Sequence, residues 1–520
     1  MTEMNGAQAL IRTLVDCGVD TCFMNPGTSE MHFVAALDAV HDMRGILCLF
    51  EGVATGAADG YGRLADKPAS VLLHLGPGLG NGLANLHNAR KGNVGVVNIV
   101  GDHATYHKEF DAQLESDIET VARNVSTWIR WGTTSDAVGA DAADAVAAAS
   151  GPPGAVATYI LPADTSWGDG GVAGEAKPVQ ARTPVDSGVI DTAAAALVSG
   201  EPCALLLGGS ALREAGLVAG SRVANHTGAK FMAETFPTRL ERGAGVPPID
   251  RLAYLAEFAQ MQMEGLKHLI VVDAKAPVSF FAYPGKASYL VPDGCEVHVL
   301  ASGADDAANA LAALAEAVGA PADGATIQPA VRPDLPTGPL TADGVCLALG
   351  ALLPEHAIIS DEGNTSGLFA PGHTAGSPRH TWLTLTGGAI GQGLPVAVGA
   401  AVACPDRKVV ALGSDGSALY TIQALWTMAR EELDVVTIIF NNRSYAVLNM
   451  ELNRVGAEAG PKAKEMLDLH HPDMDFTAIS NGLGVPATRA TTAEEFVEQL
   501  SEAFAAKGPR LIEAIVPSVI

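Results

Sequence analysis

The most constraining stretch of the 520-residue chain is Gly413-Ser414-Asp415-Gly416-Ser417, followed by Asn441-Asn442. Val409 to Leu412 is an apolar, β-branched run that stops at a glycine, as a buried parallel strand does. Gly413 and Gly416 let the backbone turn tightly and approach a ligand, and Asp415 places one hard oxygen donor between them. A helix-compatible segment, Thr421 to Glu431, leads to a second buried strand, Val435 to Phe440, which ends at Asn441-Asn442. In a parallel crossover both turns lie at the carboxyl ends of neighbouring strands. One carboxylate, one amide oxygen and nearby carbonyls then converge, the sparse oxygen set that suits Mg²⁺ completed by phosphate and water.

A second acidic position stands near the amino terminus. Gly45 to Phe50 is apolar and ends at Glu51, which opens a helix rich in alanine and glycine. A carboxyl in that setting is poorly solvated and able to share a proton, although a helix N-terminus favours its anion. Other predicted strands end at Asn25-Pro26-Gly27-Thr28-Ser29-Glu30, at His74 before the glycine-rich run Gly76 to Asn81, and at Gly101-Asp102-His103. Such a series of polar strand ends builds an active edge on a parallel sheet. His103 and His107 share a face if that loop is helical.

The spacing of 27 residues from Asp415 to Asn442, together with the GDGS turn, resembles the thiamin-diphosphate (ThDP) motif. Phe50-Glu51-Gly52 through Ala58-Asp59-Gly60-Tyr61-Gly62-Arg63 resembles the pyrimidine-domain signature of the same enzymes. The resemblance spans nearly the whole chain and is closest to the acetolactate synthase-like and benzoylformate decarboxylase-like branch. It implies an α/β fold of three domains, each a mainly parallel sheet flanked by helices. The expected order is a pyrimidine-binding domain (1–170), a middle domain (190–320) and a diphosphate-binding domain (340–520), with linkers rich in Gly, Pro and Asp.

The resemblance also implies residue roles. Glu51 would hydrogen-bond the aminopyrimidine ring and drive the cofactor to the tautomer that removes its own thiazolium proton. Asp415 and Asn442 would ligate Mg²⁺ through side chains and Ser444 through its carbonyl. Asn364, Thr365, Gly413, Ser414, Gly416, Ser417 and Tyr445 would hold the cofactor with them. Gly388 would accept from the 4′-amino group, and Ile390 would wedge the cofactor into its bent shape. Thr28 and His74 match substrate-contacting positions, and His103 and His107 are further candidate proton donors. The second catalytic histidine of the decarboxylase branch has no counterpart around Ala276 to Pro284, where Phe280, Phe281 and Tyr283 suggest an apolar wall. FAD is a further cofactor of some relatives, but no flavin-binding set is recognisable, and Gly208-Gly209-Ser210 is only a weak nucleotide-type turn.

The resemblance implies decarboxylation of a 2-oxo acid, with or without transfer to a second carbonyl, in an acetolactate synthase-like manner. Alternatives are a simple decarboxylase of a hydrophobic or aryl 2-oxo acid, and a catalytically weak ThDP-binding regulatory homologue. A nicotinamide dehydrogenase lacks its GxGxxG motif here. The resemblance further implies a homodimer or homotetramer in which Glu51 of one subunit meets Asp415 of another. A net charge of −26 without a basic stripe argues against nucleic acid and anionic membrane as partners. Seven scattered cysteines, with no zinc-type Cys/His cluster and no signal peptide or membrane-length apolar run, predict a cytoplasmic protein.

Overall fold

The computed structural model describes residues 4–518. Among them are three main sheets, each built from short apolar strands that end in polar turns. The first contains β1 (Thr21–Asn25), β2 (Arg44–Leu47), β3 (Ala69–Leu73), β4 (Val96–Asp102), β5 (Trp128–Trp131) and β6 (Val156–Pro162). Its order is β2-β1-β3-β4-β6-β5, and every pairing is parallel. β3, β4 and β6 are buried throughout, which explains their mostly apolar character, and the buried Asn98 on β4 donates to Thr158 Oγ1 on β6 (2.9 Å). Helix α1 (Glu51–Ala65) follows β2, and α2 (Leu75–Lys91) follows β3.

The middle segment begins with α3 (Ser187–Leu197) and carries β7 (Cys203–Leu207), β8 (Lys230–Ala233), β9 (Leu240–Arg242), β10 (Asp250–Arg251), β11 (His268–Val272) and β12 (Glu296–Ala301). Five of these form a parallel sheet in the order β10-β8-β7-β11-β12. β9 leaves it and pairs antiparallel with the third sheet, a connection that its short polar sequence does not announce.

The third sheet contains β13 (Ile358–Glu362), β14 (His380–Thr384), β15 (Val409–Ser414), β16 (Val435–Asn441), β17 (Ala487–Ala490) and β18 (Arg510–Ile515). With β9 its order is β9-β14-β13-β15-β16-β18-β17. Helix α4 (Gly393–Ala403) follows β14. Residues 172–182 and 324–337, where linkers were expected, form no helix or extended strand. The helix expected from Thr421 to Glu431 spans Ala424–Arg430, and a separate short helix, Asp415–Ala418, opens at the acidic turn itself.

α1 packs along α4 and joins the first sheet to the third. Small residues permit the approach: a methyl group on Gly60 would overlap the Val396 carbonyl, and one on Gly399 would overlap the Ala57 carbonyl. The junction also buries an ion pair, Arg63 to Asp59, with both side chains fully inaccessible. Arg63 donates to the Thr384 carbonyl (2.8 Å), and Gln392 Nε2 donates to Asp59 Oδ2 (2.5 Å). The pair is thus tied to the opposite layer through Thr384 and Gln392.

Candidate active site

β15 and β16 run side by side in parallel, with Ser414 opposite Phe440, so Asp415 and Asn442 emerge together at their carboxyl ends. Asp415 is 1% exposed. Its Oδ1 accepts from the Gly416 N–H (2.8 Å) and its Oδ2 from the Arg443 N–H (2.6 Å). Asn442 Oδ1 accepts from the Ser444 N–H (2.9 Å), and its Nδ2 donates to Ser366 Oγ (3.1 Å). Arg443 sits at φ 57°, which folds Ser444 back toward the asparagine. The Tyr445 ring lies against the Gly416 backbone so closely that only glycine fits there.

Burial raises the Asp415 pKa above the ordinary carboxylate range, against the pull of the Gly416, Arg443, Asn442 and Ser444 N–H groups. An anion buried beyond what its hydrogen bonds offset is suited to a cation. The hard oxygens gathered here, one carboxylate and one amide with adjacent carbonyls, fit Mg²⁺.

The neighbouring turns shape a cradle beside this point. Asn364 follows β13 at φ 46°, a conformation that Asn tolerates, and its Nδ2 donates to Ser414 Oγ (3.4 Å). Thr365 is half-buried next to it, and Ser417 Oγ donates to the Ser414 carbonyl (3.2 Å). Gly388 (φ 75°) and Gly391 (φ 91°) flank the half-buried Ile390. Glu362, which sequence reasoning did not single out, pins this loop: its two oxygens accept from the Gly391 N–H (2.6 Å) and the Gly393 N–H (2.8 Å). Burial lifts its pKa to about 7, opposed by those N–H groups.

The other half lies at the carboxyl edge of the first sheet. Glu51 is the first residue of α1, is 8% exposed, and accepts from Asn81 Nδ2 (3.0 Å). The glycine-rich run after His74 is helical despite its composition. It is the first part of α2, because Gly76 and Gly82 face Ser116 and Thr55 too closely for any side chain. Tertiary packing overrides the poor helix propensity of glycine there. Leu75, at φ 51°, holds a strained backbone directly after His74.

His74 Nδ1 lies 2.8 Å from Glu30 Oε2, which also accepts from the Gly27 N–H (2.7 Å). Glu30 is fully buried, and burial raises its pKa despite the nearby His74 and these donors. It is a functional candidate missed in the sequence. Its signal was the Gly27-Thr28-Ser29-Glu30 spacing, which places the carboxylate back over the turn. Glu30 fixes the imidazole through Nδ1 and leaves Nε2 for another partner. Thr28 is exposed on the same turn.

His103 and His107 follow β4, the neighbour of β3, so they share an edge with His74. The intervening turn, Thr105–Phe110, is a 3₁₀ helix, and the α-helical face expected for the pair is absent. Their rings nevertheless stand 5.3 Å apart, and His103 Nε2 is buried with no hydrogen-bond partner among the described residues.

The middle segment contributes an aromatic wall. Phe280 contacts Phe236, Tyr254 and Phe281 at ring separations of 5.7, 5.3 and 4.8 Å, and its ring covers Gly388. Between the first and middle segments, a cavity of about 540 Å³ is lined by Arg63, Arg182, Arg213, Arg239, Ser210 and Asp273, among others. The Gly208-Gly209-Ser210 turn on its wall is already occupied. Asp273 Oδ2 accepts from both the Ser210 N–H and its hydroxyl (each 2.7 Å), which takes the donors a nucleotide phosphate would use.

Two family models match the chain: the N-terminal TPP-binding domain of thiamine pyrophosphate enzymes over residues 4–123, and the C-terminal TPP-binding domain over residues 361–514. A Mycobacterium tuberculosis protein described as "Putative acetolactate synthase large subunit IlvX" is 60% identical, covering 99% of this chain and 100% of its own length. The benzoylformate decarboxylase of Pseudomonas aeruginosa is 31% identical over 95% of this chain and 96% of its own. Among solved structures, the ThDP-dependent 4-hydroxybenzoylformate decarboxylase of Rhodococcus jostii RHA1 superposes with a TM-score of 0.85 at 25% identity, covering 99% of both chains. With both cofactor-binding domains matched and relatives aligned along almost its full length, the chain belongs to the thiamine pyrophosphate enzyme family, among the acetolactate synthase-like and benzoylformate decarboxylase-like members.

Proposed function

We propose that the protein decarboxylates a 2-oxo acid with ThDP and Mg²⁺, with or without passing the resulting acyl unit to a second carbonyl. The observation that carries this reading is the pair of prepared half-sites: the buried Asp415 beside Asn442, and the buried Glu51 held by Asn81. When bound, ThDP supplies a carbon nucleophile and an electron sink for cleavage next to a carbonyl.

The protein's own residues bind, orient and move protons. Asp415, Asn442 and the Ser444 carbonyl would hold Mg²⁺, and Gly413, Ser414, Gly416, Ser417, Asn364, Thr365 and Tyr445 would hold the diphosphate. The Gly388 carbonyl and the Ile390 side chain would hold the pyrimidine, and Glu51 would hold a proton against its ring nitrogen. His74, fixed by Glu30, delivers protons to the substrate beside Thr28, and His103 and His107 extend that relay. FAD is not required by this scheme.

The two half-sites come from different subunits of a homodimer or homotetramer. Both carboxyl edges expose large apolar groups, with Leu49, Tyr106 and Phe110 on the first and Leu368, Leu419 and Tyr420 on the third. Such rims are suited to cover by a second copy. The free state of all seven cysteines fits a reducing compartment, the cytoplasm. No helix among the described residues is long and apolar enough to cross a membrane.

The test is CO₂ release from a panel of 2-oxo acids (pyruvate, 2-oxobutyrate, branched-chain and aryl) with ThDP and Mg²⁺. Products are identified in the same reactions, and Glu51→Gln is run in parallel. Release that collapses in the variant supports the mechanism. Tight ThDP binding with no release from any acid refutes the 2-oxo acid assignment. The Phe280 wall against Gly388 favours one narrower reading, an aryl or bulky hydrophobic substrate, which predicts a higher kcat/KM for benzoylformate than for pyruvate.

A further inference from the structure

The middle sheet carries a polar cluster that the proposed reaction does not use. His268 is the first residue of β11 and lies directly opposite Glu296, the first residue of β12. His298 stands two residues further along β12 and so projects from the same face. α3 packs over these two strands. His268 Nδ1 lies 3.1 Å from His298 Nε2, and each of these nitrogens lies 3.9 Å from Glu296 Oε2. Among the described residues this is the one group of three or more His, Cys, Asp or Glu side chains with metal-ligand spacing.

We propose that His268, His298 and Glu296 form a site for a divalent transition-metal ion of the Zn²⁺ type. A tetrahedral ion with metal–ligand bonds of about 2.0–2.1 Å sets its ligand atoms roughly 3.3 Å apart. The two nitrogens already meet that spacing. The carboxylate must close by about half an ångström, which a side chain 69% exposed can do.

The surrounding groups support the assignment. The imidazoles are 14% and 11% exposed, so their positions are fixed by packing. The ring nitrogen of His268 that faces away from the cluster, Nε2, lies 3.1 Å from Glu201 Oε2. A proton held there fixes the tautomer and leaves Nδ1 with a lone pair for the ion, the carboxylate–histidine–metal arrangement of many zinc sites. The fourth position is open to water. His298 also lines a groove of about 270 Å³ with Asp186 and Thr192.

The site lies at the amino ends of the parallel strands. Asp273, which follows β11, and the Gly208 turn, which follows β7, lie at the opposite edge. The ion is thus independent of the ThDP and Mg²⁺ positions, and its bound state ties β11 and β12 to the Glu201 loop.

Chelator-treated full-length protein, with ThDP and Mg²⁺ present, is dialysed against Zn²⁺ and assayed for metal per chain. A parallel sample is titrated with Co²⁺ and read by visible absorption. The expected result is one Zn²⁺ per chain and a tetrahedral Co²⁺ spectrum, both lost in His298→Gln and in Glu296→Gln. Glu296 is exposed, so that variant keeps the fold, which circular dichroism checks. Glu201→Gln should keep the stoichiometry and weaken affinity by about 10- to 100-fold. No stoichiometric uptake by the wild type, or uptake that survives the His298 and Glu296 substitutions, overturns the proposal.

Discussion

A site composed of Glu51 from one subunit and Asp415 from another predicts that two inactive variants rescue each other. Glu51→Gln keeps an oxygen that can accept from Asn81 Nδ2, so it preserves the local structure while removing the proton function. Positioned proton transfer is worth about 10²–10⁴ in rate, which is the loss expected for this variant. Asp415→Asn acts differently. Both oxygens of Asp415 accept backbone N–H bonds, so an amide NH₂ must face one of those donors. The variant loses the anion for Mg²⁺ and leaves one buried donor unpaired, at a cost of about 1–3 kcal/mol in the turn. Each homo-oligomer should therefore be nearly silent. A heterodimer of the two variants contains one site with both native groups and one with neither, so it should recover about half of the wild-type activity. The two chains are co-expressed with different tags, purified through both, and assayed for CO₂ release. One in-chain contact makes the competing geometry concrete: Asn85 Nδ2 donates both to the Gly52 carbonyl (2.8 Å) and to the Gly391 carbonyl (3.2 Å). If a single chain assembled the whole site, every site in the heterodimer would carry a defect. Activity at the level of the parent variants would refute the shared-site reasoning.

Three other substitutions probe the frame around the site. Arg63→Met leaves Asp59 charged and buried at the α1–α4 junction, so urea denaturation should show a loss of about 3–5 kcal/mol. Gly388→Ala drives a methyl group into the Phe280 ring at φ 75°, and calorimetry should show weakened ThDP binding with the fold retained. Glu234 titrates near pH 7 because burial, reinforced by Asp273, outweighs the Gly209 N–H and Lys275. Its folded-state pKa is raised, so its contribution to stability is full below the ordinary carboxylate range and fades as pH rises through about 7. Thermal melts should show the wild type falling relative to Glu234→Gln over that interval, and parallel curves would refute the assignment.

The sequence made the candidate cofactor turns legible because they depend on local order. A strand that must stop, a glycine that must turn and a carboxylate between them occupy consecutive positions, and Asp415, Asn442 and Glu51 could be read one element at a time. Partners separated along the chain were not legible. Glu30 lies 44 residues from His74, and Glu362 lies 29 residues from the Gly391 N–H it pins. Nothing periodic links either pair. The glycine-rich run after His74 looked like a loop because propensity was the only local signal, and the contacts with Ser116 and Thr55 that make it helical come from distant segments. The His268, Glu296 and His298 cluster was hidden for the same reason. Two of its members alternate on one strand, but only the register of β11 against β12 adds the third.

Within one chain the α1–α4 contact links the two half-sites, which on the shared-site reading serve different clefts. α1 begins at Glu51, and α4 begins two residues after Gly391, the end of the cradle segment. A helix pair that interlocks without room for a methyl group at Gly60 or Gly399 transmits displacement rather than absorbing it. Asp59 and Arg63 on α1 reach Gln392 and Thr384, which bracket the same cradle. A shift of α1 along its partner therefore moves Glu51 and the Gly388–Gly391 loop together. The small-residue pattern that identified α1 in the sequence is, on this account, what would couple Glu51 of one cleft to the Gly388–Gly391 cradle of the next.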